Sequence, residues 1–557
     1  MNVRHLGINV ERYLRFILLP SLIGAVILFF VIYFVLYSML EPLGMFRILI
    51  LTVPVFVILP AILYIKMVEV RMKNEIDNNI HFYITHMGAL STSEIDRKEL
   101  MKILSERSEY KALAEETRKI FLLMSKWRRN LAQACRFIAK RTPSKIFSDF
   151  LDRMAHELDS GEDFKEFIKR EQKVVMEDFV TLYNGKMYSI DIFKEIYVSI
   201  ILSLSFFAAF AIIMPFLTGI SVKTTIYLVM IFFFITEAGV LLYLKAVVPE
   251  DPIWQTSGEY TEIDIRIYRI FVISLFVFLI LFTGLLYLNY VMNLIDLPFT
   301  FLMALAITPF LIPGFLARKE EKLISEKDRN APSFIMSLGA SSSARGGNIL
   351  ESLKYLTAHD FGALTEDVKS LYRRLNSRIN KKRAWEKFAI STNSNLIYRF
   401  TDMFVEAISL GAEPIDVAEI VSSNFITINN LRKRRAQTTS SFIGIAYGVI
   451  IGISFALYIS FGVVESMNNL YSSLEIPAEM IGSILHVVPA EDLTFVSRLI
   501  TLLMLIHAVL STIAIKVMDG GRITAGLIHM VGMMWVAAIA GYVSQVTITS
   551  LLSAGGV

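Results

Sequence analysis

An all-α integral membrane protein with two soluble helical lobes is the fold class that three observations predict. Long apolar stretches alternate with polar, helix-patterned ones, and their order recurs roughly 250 residues later in the chain. The polar stretches also lack the strict apolar/polar alternation of half-buried strands. A hydrophobic fraction of 54% over 557 residues exceeds that of ordinary soluble domains and fits a bilayer.

Nine stretches are long and apolar enough to span: Phe16 to Leu40, Ile48 to Ile65, Ile200 to Ile220, Thr225 to Leu244, Ile270 to Met292, Phe299 to Ala317, Phe442 to Val464, Leu499 to Ile515 and Leu527 to Thr547. The first is too long for a signal peptide, has no small-residue cleavage site before Glu41, and is followed at once by a second span, so it is expected to be an uncleaved anchor. The implied organisation is a membrane pair (1–67), a first lobe (68–199), four central spans (200–317), a second lobe (318–441), and three terminal spans (442–557) with an outer loop at 465–498.

Lysine and arginine beside the spans set the expected orientation. Arg4, Arg12, Arg71, Lys73, Arg318, Lys319, Lys322 and the run Arg432 to Arg435 mark cytoplasmic ends, whereas the outer connections hold only Lys223, Arg47 and Arg498. This places both lobes and the N-terminus inside and the C-terminus outside. The connection Glu250 to Arg269 is acidic, and Lys245, Arg266 and Arg269 assign it to the inside. The run at 432–435 is most simply a positive-inside anchor.

Helix punctuation repeats in the two lobes. Thr142 before Pro143 predicts the start of a helix carrying Phe150, Leu151, Met154 and Leu158 and stopping at Gly161. In the second lobe a helix with Phe400, Phe404 and Ile408 stops at Gly411, and Glu413 and Pro414 open the next. A shift of 251 aligns Gly88 with Gly339 and Glu116 with Asp367, and a shift of 250 aligns Phe150 with Phe400 and Gly161 with Gly411. Glycines and acids at fixed offsets favour internal duplication.

Phe82-Tyr83-Ile84 leading into Met87-Gly88-Ala89, its counterpart Ser333-Phe334-Ile335 into Leu338-Gly339-Ala340, and the helix ends Ser160-Gly161 and Leu410-Gly411-Ala412 carry a family resemblance. The chain resembles the integral-membrane platform proteins of type II secretion and type IV pilus systems. In length and span number it is similar to their archaellum branch, the archaeal flagellum, and it departs from the shorter bacterial relatives. The resemblance implies six-helix F-type bundles in the cytoplasm and a partner hexameric secretion-type ATPase. It also implies archaellin or pilin filament subunits, other motor components, and coupling of ATP hydrolysis to filament assembly and rotation. A homodimer is expected, because a two-fold platform can sit on the axis of a six-fold motor. A non-rotary pilus or secretion platform shares these features; a secondary transporter would instead place its site at broken midplane helices.

No catalytic or cofactor signature is present in the sequence. There is no G-x-x-x-x-G-K-[ST]; Gly185-Lys186-Met187 is the nearest fragment. The eight histidines are scattered, and the single Cys135 has no partner for a disulfide or metal cage and is expected to be a packing residue. The chain is therefore expected to be a non-enzyme that draws energy from a partner.

Two basic blocks are the candidate docking sites. Arg118 to Lys145 contains nine cations and no acid, with Lys126, Arg128, Arg129 and Arg136 at its centre. The second lobe has Arg373, Arg374, Arg378, Lys381, Lys382 and Arg383. Either block alone would suit a solvated helix face or anionic lipid; recurrence in both lobes favours protein docking. Few aromatics interleave these cations, which disfavours nucleic acid, and Trp127 and Trp385 are expected at core edges.

Glu237, among Phe232, Phe233 and Phe234, is an intramembrane carboxylate that must find a partner, Lys245 or a polar group on another span. An interhelical contact is the plainer reading; a proton path or recognition of a filament subunit's N-terminal amine are the functional ones. His507 is expected to be packed. Gly346-Gly347 predicts a turn before a helix near Asn348, and Pro477 and Pro489 flank an apolar stretch, Met480 to Val488, in the outer loop.

Overall fold

The structure, a computed structural model, describes residues 10–36, 53–218, 222–377, 380–473 and 489–554. Among these every regular element is a helix and none is a strand; Trp254 and Ser394 form an isolated antiparallel bridge. Eight helices among the described residues are long and apolar enough to cross a membrane. The expected span Ile48 to Ile65 falls partly outside the described residues, and its remainder opens the helix Val53–Ser91. The apolar part of the expected outer loop, Met480 to Val488, also lies outside them.

The chain divides into two units. The first comprises residues 1–179 and 406–420. Its spine is Val53–Ser91, where Ile76, Ile80, Tyr83, Ile84 and Met87 recur at helical spacing and are completely buried. Helices Arg97–Glu106, Ala112–Ser125, Leu131–Ala139 and Lys145–Ser160 close a core around this stripe, with Leu104, Leu113, Cys135, Phe147 and Phe150 inside. Cys135 is thus the buried packing residue expected of it, and burial pushes its thiol far above the usual range. Near the N-terminus Tyr13 donates to the Ala61 carbonyl at 2.7 Å and stacks on Tyr64.

Each lobe helix has a chemical start. Asp96 and Asn130 cap their helices by accepting from the amides of Lys98 and Gln133. The expected start at Thr142-Pro143 lies two residues too early. Ser144 is the cap, accepting from the Phe147 amide while donating to the buried carboxylate of Asp77 at 2.5 Å. That tertiary bond makes Ser144 the anchored residue, and nothing local announces it. The predicted end at Gly161 holds, with φ +86°.

The second unit comprises 180–405 and 421–557. Helices Leu311–Ser343, Ile349–Leu356, Thr365–Asn376, Lys381–Ser391 and Asn395–Ser409 follow one another with the same order of punctuation. Phe334, Phe388, Phe400 and Phe425 fill the interior, and the Phe400 and Phe425 rings stack at 4.8 Å. Gly346 and Gly347 make the expected turn with φ +61° and +83°, after which Asn348 caps the next helix. The apolar helices include Glu262–Leu286, whose Phe276 and Ile280 project outward as a lipid-facing surface would require.

The connection at 248–261 is a non-helical strap. Its Ile253 amide donates to Gly520, its Gln255 amide to Asn393, and the Asn395 amide donates back to Ile253. One short segment therefore bonds both to the turn after the helix Ala490–Asp519 and to the second lobe. It ends in a capping box, Thr261 with Asp264, that opens Glu262–Leu286.

Candidate docking and coupling sites

The first basic block is not one helix. It folds as the end of Ala112–Ser125, a turn at 126–130 and Leu131–Ala139. Arg128 takes φ +52°, a left-handed conformation that turns the chain sharply. Lys126, Trp127, Arg128 and Arg129 are all exposed there. Trp127 is 72% exposed, which corrects the expectation of a core-edge indole. Arg136 is also exposed but holds Asp159 at 2.6 Å, an acid supplied by the following helix.

The second block has the same design. Asn380 caps Lys381–Ser391 by accepting from the Lys382 and Arg383 amides, just as Asn130 caps Leu131–Ala139. Lys381, Lys382 and Arg383 are exposed in the first turn, and Arg373 is exposed on the preceding helix. Arg374 is only half-exposed, with one guanidinium nitrogen buried, so it is poorly placed to meet a partner. Arg378 lies outside the described residues. Trp385 is buried against Phe388, as expected.

In both lobes, cations crowd the N-terminal end of an asparagine-capped helix. This end already carries the positive pole of the backbone dipoles, where acids stabilise and cations do not. The arrangement therefore weakens the helix slightly and concentrates positive potential at an exposed corner, as binding an acidic surface would require.

A buried ionic network, invisible in local sequence, lies in the second unit. The Arg432 guanidinium grips Asp251 with two nitrogens at 2.5 and 2.8 Å, Asp328 at 3.1 Å, and the Pro252 carbonyl at 2.8 Å. Arg435, 4% exposed, donates to the carbonyls of Met518, Asp251 and Val517. Lys516 bonds Glu321 at 2.7 Å and Asp519 at 2.8 Å, and the Arg522 amide donates to Glu321. The Arg522 guanidinium lies 3.9 Å over the Trp254 ring and pairs with Asp264. Arg432 and Arg435 thus tie the strap, the second lobe and the 517–522 turn together, and only Lys433 and Arg434 of the run are exposed.

Within the apolar helices Glu237 meets His507, Oε1 to Nδ1, at 2.6 Å. The partner belongs to another span, and Lys245 is not used. Ser511 lies 3.5 Å from the far nitrogen of His507 and 3.3 Å from the Tyr197 hydroxyl, so four polar groups form a buried row. The fragment Gly185-Lys186-Met187 sits within the continuous helix Phe164–Thr218, where no phosphate-cradling loop can form.

In the first unit a second ionic cluster gathers around Glu406. Its carboxylate lies 2.8 Å from His86 Nε2 and 2.5 Å from Arg107, while His86 Nδ1 meets the Tyr110 hydroxyl at 2.9 Å. Burial alone would raise this carboxyl; His86 and Arg107 override it and hold it at about 2.

Comparison with known proteins agrees with this architecture. The family model for the type II secretion system (T2SS), protein F, matches residues 83–212, the first lobe and the start of the next span. The flagella accessory protein J of Methanocaldococcus jannaschii is 39% identical over 550 residues, covering 98% of this chain and 97% of that protein. The flagella accessory protein J of Methanococcus voltae is 38% identical over 553 residues, covering 98% of each. No solved structure matches the chain.

Proposed function

We propose, for a chain that belongs to the flagella accessory protein J family and is a multi-pass membrane platform of archaellum or type IV pilus-like machinery, that it docks a cytoplasmic hexameric ATPase and couples ATP hydrolysis to filament assembly and rotation. The observation that carries this reading is the paired basic corner, Lys126 to Arg129 before Asn130 and Lys381 to Arg383 after Asn380. Two equivalent electropositive knobs give a nucleotide-driven partner two handles on one chain. Both lobes then face the cytoplasm, the N-terminus with them, and the C-terminus lies outside.

The strap supports that sidedness. It bonds to the second lobe and to the 517–522 turn, so those three segments share a face of the membrane. The identity to flagella accessory proteins along nearly the full length favours the archaellum over an adhesive pilus or secretion platform.

Purification from membranes at physiological salt tests the docking. The wild-type chain is expected to bring down a hexameric ATPase, and the combined neutralisation of Arg128, Arg129, Arg373 and Lys382 to glutamine is expected to lose it. Undiminished recovery of the ATPase with that variant refutes the proposal. So does accessibility labelling that puts Lys126 and Lys381 on opposite sides of the membrane.

A further inference from the structure

Beside the buried ionic network, a cavity of about 1210 Å³ lies in the second unit between the helices Leu311–Ser343 and Pro414–Ser473. One wall is a single helical stripe, Phe315, Arg318, Lys322 and Arg329, at offsets of three, seven and fourteen residues. Asn430 and Lys433 line the other wall. All six side chains are exposed.

Charge in this cavity is unbalanced. The acids around it are engaged: Asp251 and Asp328 hold Arg432, while Glu321 and Asp519 hold Lys516. Among the described residues no carboxylate forms an ion pair with Arg318, Lys322, Arg329 or Lys433. With Lys319, for which the same holds, five exposed cations thus line a concave space whose anions are spent on buried partners.

The geometry also has polarity along its length. The apolar span ends at Ala317, so Phe315 lies at the hydrocarbon edge, and Arg329 follows about 21 Å further along the helix. A purely aqueous anion would have no use for the aromatic end, and an acidic protein segment would have to push into hydrocarbon to reach it. An amphiphile with an anionic phosphate head and acyl chains satisfies both ends.

We propose that this cavity is a binding site for an anionic phospholipid, its phosphate held among Arg318, Lys319, Lys322 and Lys433 at the membrane end and its chains passing Phe315 into the bilayer. Bound there, the lipid braces two helices against each other where they leave the membrane.

The full chain, reconstituted in vesicles of phosphatidylcholine and phosphatidylglycerol and released into native mass spectrometry, is expected to carry phosphatidylglycerol in preference to phosphatidylcholine. The triple variant Arg318→Gln, Lys319→Gln, Lys322→Gln is expected to retain it on the order of tenfold less. Added inorganic phosphate is expected not to displace the lipid. Equal retention of the two lipids, unchanged retention by the triple variant, or full displacement by inorganic phosphate, which would mark a soluble-anion site, each overturns the proposal. Should the triple variant fail to fold, Lys433→Gln alone, on the opposite wall, must still lower retention about threefold, and no change with it is equally fatal.

Discussion

Glu237 and His507 face each other at 2.6 Å on the helices Val222–Val247 and Ala490–Asp519, both withdrawn from the surface. Each supplies what the other needs. Removing one leaves a polar group in an apolar interior, whereas removing both leaves only a packing change. Glu237→Leu and His507→Leu are each expected to lower thermal stability of the detergent-solubilised chain by about 1–2 kcal/mol. The double variant should cost less than the sum of the two. A strictly additive cycle would show that the contact contributes nothing. The interhelical reading further requires Glu237→Gln to keep assembling filaments, because a proton path would not survive that change.

Glu406 makes the first unit sensitive to acid. Its ordinary value of 4.5 is lowered to about 2 in the fold, burial being outweighed by His86 and Arg107. A depressed carboxyl contributes stability that is fully present above 4.5 and disappears as pH falls toward 2. With a partly exposed side chain the contribution is discounted to about 1–2 kcal/mol. Melting of wild type and Glu406→Gln should therefore differ most at pH 6 and converge on titration from about pH 4.5 downward. A gap that persists undiminished at pH 3 would contradict this.

Local signals were legible wherever one residue decides the backbone. Gly161 and Gly411 end their helices with φ +86° and +90°, and Gly346-Gly347 turns the chain, as their spacing requires. Partners distant in sequence were not. Ser144 supersedes Thr142 as a cap because it bonds Asp77, 67 residues away. The Asp251–Arg432 pair spans 181 residues and the Glu237–His507 pair 270. A sequence shows that a buried charge needs an answer and only the fold shows which residue gives it. The acids of the connection Glu250 to Arg269 likewise had their use hidden, since Asp251 serves Arg432.

Arg432 is expected to tolerate no replacement, lysine included. Its planar fork satisfies both oxygens of Asp251 and reaches Asp328 and the Pro252 carbonyl, a set that one ammonium cannot reproduce. Arg432→Lys should destabilise the chain in thermal unfolding, and Arg432→Ala should cost about 3–5 kcal/mol by stranding two buried carboxylates. Asp251→Asn with Arg432→Gln should recover part of that loss. An Arg432→Ala chain as stable as wild type would show the network to be dispensable.

Trp127 and Trp385 separate docking from folding. Both lie beside the basic corners, yet Trp127 is 72% exposed and Trp385 only 5%. An exposed indole between Lys126 and Arg128 contributes nothing to the core, and under the proposed docking it would serve as an aromatic anchor flanked by charge. Trp127→Ala is expected to leave the melting temperature unchanged and to weaken ATPase capture by about tenfold, or roughly 1.4 kcal/mol. Trp385→Ala should do the reverse, lowering stability by about 3–5 kcal/mol through a cavity beside Phe388. The capture should also weaken as salt rises from about 0.15 to 0.5 M, because cations at exposed helix ends act through a screened field. If capture by the wild-type chain ignores both salt and Trp127, the basic corners are not where the ATPase binds.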